Sequence, residues 1–319
     1  MPYHTPAPIW ESYGANDFEQ YVAKFVVRGR FHKDVPEDVK NSFAVAEHIM
    51  AHAYYYYPMY EEALAKLLRT IEMSVRMRCE QIGIKTAYTD KKGKDRPKDF
   101  NALIDQLAKK EKSKPGKGTL HWLRELRNIF MHPKENMLMG TIALTPIRHT
   151  LVQLNALFLP EQFFDDAQRK LEEMQRRWRP FEKGVLILDQ NGEQRWIYES
   201  KVVEAYLADD AWVYLCAFYS IFNNVKETLS RPRQYQPIVI LLREITVEQD
   251  IIRGKNVADG TPVEFFLADH PEPQRVVGQF LSNLANVEQK DLGWYTSALS
   301  EEIEKEKVRW RCEYWSRCS

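Results

Sequence analysis

Between Leu123 and Pro133 the chain reads Leu-Arg-Glu-Leu-Arg-Asn-Ile-Phe-Met-His-Pro, which sets Arg127 five positions before His132. An arginine keeps its charge near neutrality, whereas a histidine titrates there. A fixed cation and a proton carrier suit RNA phosphodiester chemistry: one group holds the phosphate while the other moves the proton. On an ideal α-helix, residues five apart point roughly 140° away from each other, because each residue advances by about 100°. An unbroken helix would therefore separate the pair. Pro133 disfavours the α conformation at His132, so the helix is expected to end there and free the imidazole, with Arg127 one turn back. With eight histidines and many arginines in the chain, the bare spacing carries little, and the surrounding elements must decide.

Those elements read as helices. Asp17 is placed to cap a helix from Phe18 to Val27, and a second is expected from Pro36 to Tyr57, broken by Pro58. Tyr60 to Gln81 carries the clearest apolar stripe, Ala63, Leu64, Leu67, Leu68, Ile71, Val75 and Met77, closed by Gly83 at a C′ position. Glu72 falls within or beside that stripe, where a carboxylate is costly unless paired. It either orients Arg127 of a facing helix or sits half-exposed at the surface. Phe100 to Leu107 makes a short helix, and Thr119 is expected to cap the Arg127 helix. A short apolar piece, Leu138 to Leu144, a helix from Pro146 to Leu159 and a charged connector helix over 161–179 complete this part.

Leu123-Arg-x-Leu-Arg127-Asn128-x-x-x-His132, on a helix preceded by a long and a short helix, resembles the Arg-x4-His motif of the HEPN superfamily. The likeness covers about Phe18 to Leu159. It implies a helical bundle and metal-independent endoribonuclease activity at a cleft between two motif helices of a homodimer. Arg127 and His132 would be catalytic, with Asn128 at the motif's polar second position; Glu72 would support them only by its own placement, if it orients Arg127. Some members of that superfamily bind nucleotides without cutting.

Lys91, Lys92, Lys94 and Arg96 lie in a stretch, 85–98, that reads as a loop around Gly93 and Pro97, and Lys114, Lys117 and Arg124 follow. They form the expected RNA-backbone set, since phosphate contacts supply most sequence-independent affinity. Lys114-Pro-Gly-Lys-Gly-Thr119 looks like a phosphate loop but lacks the earlier glycine and the Lys-Ser/Thr pair of the Walker pattern. His48 and His52 stand four apart, yet no Cys or carboxylate completes a metal set, so no metal and no cofactor is expected. The run Tyr54 to Tyr57 is either a stacking platform for bases or core packing, and consecutive positions face all round a helix.

The chain has 319 residues, 44% hydrophobic, enough for two domains with real cores. Net charge is zero, but residues 1–180 hold 29 basic against 23 acidic side chains and the remainder 16 against 22. A polyanion would meet the first half. Four scattered cysteines make no disulfide framework, the start lacks the regions of a signal peptide, and no 18-residue uncharged apolar run occurs. A cytoplasmic protein with no membrane segment is expected.

After Pro180 the period changes. Val185–Leu188, Asn191-Gly192 and Arg195–Tyr198 signal a hairpin, because Asn-Gly supplies the positive φ of a tight turn. Val202–Leu207, Asp209-Asp210 and Trp212–Phe218 repeat it, with further strands at 238–242 and 263–267 and helices at 274–285 and 297–309. Asp269-His270, Cys312 and Cys318 form no catalytic or metal set. The expected architecture is an irregular arm over 1–14, then a mainly α helical bundle with its connector over 15–180, and then an α+β domain on an antiparallel sheet over 181–319. By the resemblance, the expected function is a ribonuclease acting as a prokaryotic toxin or antiviral-defence effector, with the last domain recognising a regulator, trigger or antitoxin. The alternative is a non-catalytic nucleotide- or RNA-binding module or adaptor.

Overall fold

Apolar residues three and four apart over 59–81 bury one face of a long helix, and the first half of the protein is built on it. The computed structural model describes residues 4–131, 140–222, 224–230, 237–268 and 271–317, without the side chains of Lys226, Ser230 and Trp294. In order come α1 (Ile9–Ser12), α2 (Phe18–Phe25), α3 (Glu37–His52), α4 (Met59–Gln81), β1 (Ala87–Thr89), β2 (Asp95–Pro97), α5 (Phe100–Lys110), α6 (Lys117–Met131), α7 (Leu144–Phe158) and α8 (Glu161–Trp178). Then follow β3 (Lys183–Gln190), β4 (Glu193–Ala208), β5 (Ala211–Ser220), α9 (Val225–Ser230), β6 (Ile238–Val247), β7 (Ile251–Asn256), β8 (Pro262–Leu267), α10 (Pro271–Ala285) and α11 (Gln289–Tyr314). The fold is mixed α+β. Contacts divide it into two units, Met1–Phe164 with Arg311–Ser319, and Asp165–Trp310.

In the first unit α3, α5, α6 and α7 pack on α4. Leu64, Leu67, Leu68, Ile71 and Val75 of α4 are fully buried. The helix ends in a Schellman motif: Ile84 N donates to Cys79 O (2.7 Å), Gly83 N donates to Glu80 O (3.0 Å), and Gly83 takes φ +74°. Asn155 on α7 fastens the segment before α3. Its Oδ1 accepts from His32 N (3.1 Å), and its Nδ2 donates to Arg30 O (2.9 Å). Burial lowers the pKa of His32, whose Nε2 faces Asn155 O at 3.0 Å.

Several local expectations are corrected. The arm over 1–14 contains α1, whose Trp10 is buried and donates from Nε1 to Ala53 O at 3.0 Å. The helix expected to reach Tyr57 stops at His52, because the chain must turn before α4; Tyr54 packs in the core and Tyr57 bonds Thr141 N through its hydroxyl. Residues 85–98 are no simple loop, since β1 and β2 pair with Tyr88 opposite Arg96. Thr119 caps nothing: α6 already begins at Lys117, after Gly116 at φ +107°, a conformation that side chains oppose. Of the piece from Leu138 to Leu144, Gly140–Ala143 is a 3-10 turn, and 138–139 lie outside the described residues.

In the second unit the sheet does not stay open. Each of the six strands β3 to β8 pairs antiparallel with the next, and β8 returns to β3 with Leu188 opposite Phe265, closing a barrel. Bulges in β3, β4 and β6 supply the bending that closure needs. The β3–β4 turn uses Asn191 and Gly192 at φ 55° and 88°, and the β4–β5 turn uses Asp209 and Asp210 at 45° and 66°. Leu186, Leu188, Ile197, Cys216, Phe218, Leu242, Ile252 and Phe265 fill the interior together with Trp178 and Phe181. Residues 165–180 therefore belong with the barrel by contact, although the sequence period changes only at Pro180.

Trp178 stacks on Phe265 (5.8 Å between ring centroids) and donates from Nε1 to Ser200 Oγ (2.8 Å), whose hydroxyl donates to Phe181 O (2.6 Å). Outside β5, Val225, Leu229, Phe280, Tyr295, Leu299 and Ile303 make a second apolar layer. Trp178→Ala removes the largest filler and the hydrogen bond that Ser200 Oγ accepts, so it should cost about 3–5 kcal/mol. Urea unfolding followed by circular dichroism measures this, and a loss below about 1 kcal/mol would show that the barrel does not depend on the tryptophan.

Candidate functional site

Helix α6 is oriented by Leu120, Leu123 and Leu126, which are buried at a three-residue spacing. That face sets Arg124 and Arg127 at the edges of the contact with α4 and α5, half-buried rather than in open solvent. Arg127 Nη2 lies 2.7 Å from Glu72 Oε2 on α4, and its Nη1 donates to Asn128 Oδ1 at 3.2 Å. The other oxygen of Glu72 accepts from Arg76 Nη2 at 2.8 Å. Arg76 Nη2 also donates to Lys98 O, 3.1 Å away at the foot of the β1–β2 hairpin. One carboxylate thus serves two guanidiniums, and the trio keeps a net positive charge. The Nε atoms of Arg124 and Arg127 are buried without a hydrogen-bond partner among the described residues. Glu72 and Asn128 occupy only part of the Arg127 donor fork, and an anion could engage the remaining Nη protons.

A polar stripe continues up α6. Arg124 Nη1 donates to Asn101 Oδ1 on α5 at 2.6 Å. Asp105, one turn along α5, lies 2.9 Å from Lys117 Nζ and 3.5 Å from His121 Nε2. The Lys117 hydrogen bond holds the Asp105 carboxyl below its ordinary value. Arg76, Asn101, Asp105 and His121 are the members that sequence reasoning missed. The i,i+4 spacing of Glu72 and Arg76 was a usable signal; Asn101 and Asp105 match their α6 partners only once the two helices are packed.

The expected RNA-backbone residues separate into three groups. Lys91, Lys92, Lys94 and Arg96 are exposed on the hairpin. Lys117 and Arg124 reach the surface but are engaged with Asp105 and Asn101. Lys114 is a correction: its side chain is 8% exposed, 3.0 Å from Glu111 Oε1, and donates to Leu157 O at 2.8 Å. Arg78 also pairs with Glu111. A lysine so placed neutralises a buried carboxylate and cannot reach a phosphate backbone.

His132 and Pro133 lie outside the described residues, as do Asp269, His270 and Cys318. His48 and His52 are exposed on α3. Burial pushes the Cys79 thiol up to about 11 and the Cys312 thiol up to about 12. Among the described residues no group of three His, Cys, Asp or Glu side chains is placed to hold a metal ion, and no helix is long and apolar enough to cross a membrane. The chain matches no protein-family model, no curated protein and no solved structure.

Lys114 supplies a pH test of the buried ion cluster. Desolvation, and secondly the Arg78 charge, push it down to about 8 from the ordinary 10.5. Between those values the unfolded chain holds more protons than the folded one, so this group's contribution to stability rises with pH. Below about 8 both states hold the proton and the contribution is constant. The melting temperature of the wild type minus that of Lys114→Met should increase between pH 7.5 and pH 10, roughly the window that separates the two values. A flat difference would mean that the ammonium is as well solvated as in the unfolded chain.

Proposed function

We propose that the helical unit is a metal-independent endoribonuclease that cleaves RNA by internal transfer. The RNA 2′-oxygen attacks the adjacent phosphorus, the bond to the 5′-oxygen breaks, and the products carry a 2′,3′-cyclic phosphate and a 5′-hydroxyl. The proton lost by the 2′-hydroxyl is balanced by the one gained at the 5′-oxygen, and His132 handles this traffic as base or acid. Arg127 neutralises charge developing on the phosphoryl oxygens. Asn128 positions the guanidinium or the phosphate, and Glu72 orients Arg127 from α4. DNA lacks the nucleophile.

The observation that carries this proposal is the Arg127 guanidinium held by Glu72 (2.7 Å) on the last turns of α6, within the Arg-Asn-x-x-x-His pattern. Ile129 on the same turns is 47% exposed, a large apolar side chain that a two-fold contact between motif helices would cover. We assign the second unit to recognition of a regulator, trigger or antitoxin, as befits a toxin or antiviral-defence effector.

Purified protein is incubated with mixed cellular RNA in excess chelator, and product ends are mapped. Cleavage should persist and leave cyclic phosphates. Arg127→Ala should lower the rate about 10²–10³-fold and His132→Ala about 10²–10⁴-fold, with folding unchanged by circular dichroism. Glu72→Gln should cost less, because a neutral amide still accepts from Arg127. A folded variant of Arg127 or His132 cutting at near wild-type rate would sink the proposal, as would chelator inhibition reversed by a divalent ion. RNA bound but left uncut by the wild type would establish the binding module instead.

A further inference from the structure

The β1–β2 hairpin projects a basic surface that no catalytic role accounts for. Residues 85–98 hold six lysines and arginines against two aspartates. Its turn is built, not slack. Asp90 Oδ1 accepts from Lys92 N (2.8 Å) and Lys94 N (3.0 Å), Asp90 N donates to Lys94 O (2.8 Å), and Gly93 takes φ +74°. Asp90 Oδ2 fixes Arg96 through Nε at 3.2 Å. Both aspartates are thus occupied, Asp95 by Thr89 Oγ1 at 2.8 Å, while Lys91, Lys92 and Lys94 point their charge outward.

Tyr88 stands directly across from Arg96, so the ring and the guanidinium share one face of the ribbon. Tyr88 is 52% exposed and has no ring partner among the described residues. An exposed aromatic face flanked by cations is the arrangement on which an unpaired base stacks while its phosphates meet the charges. The hairpin is also tied to the candidate site. Lys98 N donates to Thr86 O (2.8 Å), Thr86 Oγ1 donates to Glu80 Oε1 (2.9 Å), and Arg76 bonds both Lys98 O and the carboxylate that holds Arg127.

We infer that the β1–β2 hairpin is a docking arm for single-stranded RNA, in which Tyr88 stacks on an unpaired base and Lys91, Lys92, Lys94 and Arg96 take the neighbouring phosphates. This rests on the ribonuclease proposal for the identity of the polyanion and extends it to the strandedness of the substrate. A duplex offers phosphates but stacks its bases on one another, whereas a single strand presents phosphates and unpaired base faces together.

The test uses the full chain carrying Arg127→Ala, so that RNA is bound without being consumed. Fluorescence anisotropy is measured with a labelled uridine 12-mer, a blunt RNA duplex of equal length and poly-glutamate. The single strand should bind more tightly than the duplex. Adding Tyr88→Thr, which keeps strand preference, should weaken single-strand binding about 5- to 150-fold and leave duplex binding unchanged, while Tyr88→Trp should retain affinity. Replacing Lys91, Lys92 and Lys94 with alanine should weaken both ligands and flatten the salt dependence by about two logarithmic units per decade. Equal affinity of the parent and Tyr88→Thr for the single strand overturns the docking arm, and so does a parent that does not bind it. Tyr88-independent binding of poly-glutamate as tight as that of RNA would also overturn it, by showing that the hairpin reads charge alone. Binding is read without cleavage, so a failed nuclease assay leaves this result standing, and a wild type that cuts RNA while Tyr88→Thr binds normally rejects the arm alone.

Discussion

A single carboxylate, Glu72, lies between the guanidiniums of Arg76 and Arg127, and the arrangement of the candidate site follows from that sharing. Each charge is half-buried, so each would pay a desolvation cost alone; together they offset it, and removing the carboxylate would leave two cations facing each other. The trio also joins three elements. Arg76 reaches the hairpin foot, Glu72 belongs to α4, and Arg127 belongs to α6. Because two cations share one anion, the local field stays positive after the pairing is complete, and an anion arriving at the surface of α6 meets a preformed counter-charge.

The same residue types make a second cluster with a different consequence. Arg78, Glu111 and Lys114 also place one carboxylate among two cations, but Glu111 and Lys114 are almost wholly enclosed. There burial is the larger cost and the neighbouring Arg78 charge the smaller, and together they leave a lysine that holds its proton less tightly. Access to solvent, not composition, separates the Glu72 cluster at the surface of α6 from one that fastens α4 to the turn before α6.

The second unit solves a different problem. A six-stranded antiparallel sheet left open would present two unpaired edges, and pairing β8 with β3 removes both. Closure creates an interior that must be filled, and Trp178 and Phe181 enter it with side chains from all six strands. The barrel is therefore a packed core and not a container.

Local chemistry was legible from the residues alone. The stripe along α4, the Asp17 cap that accepts from Gln20 N at 2.7 Å, the Gly83 terminus and the Asn191-Gly192 turn are short-range effects that each stretch carries wherever it goes. So is the adjacency of Arg127 and Asn128 on one helix. Tertiary structure decided the rest. The β1 and β2 strands are three residues long and exposed, without the apolar alternation that marks a strand, so only their pairing reveals them. Sequence left Glu72 either at the surface or against Arg127, and helix packing settled its position. Lys114 and Lys117 are three residues apart and identical in type, yet one is enclosed with Glu111 and the other faces solvent beside Asp105, because the turn at Gly116 lies between them. Barrel closure joins residues 186–190 to 263–267, a separation over which no local preference acts. Periodicity and turn chemistry are properties of a segment, whereas burial of a charge and the pairing of distant strands depend on what the remainder of the chain brings alongside.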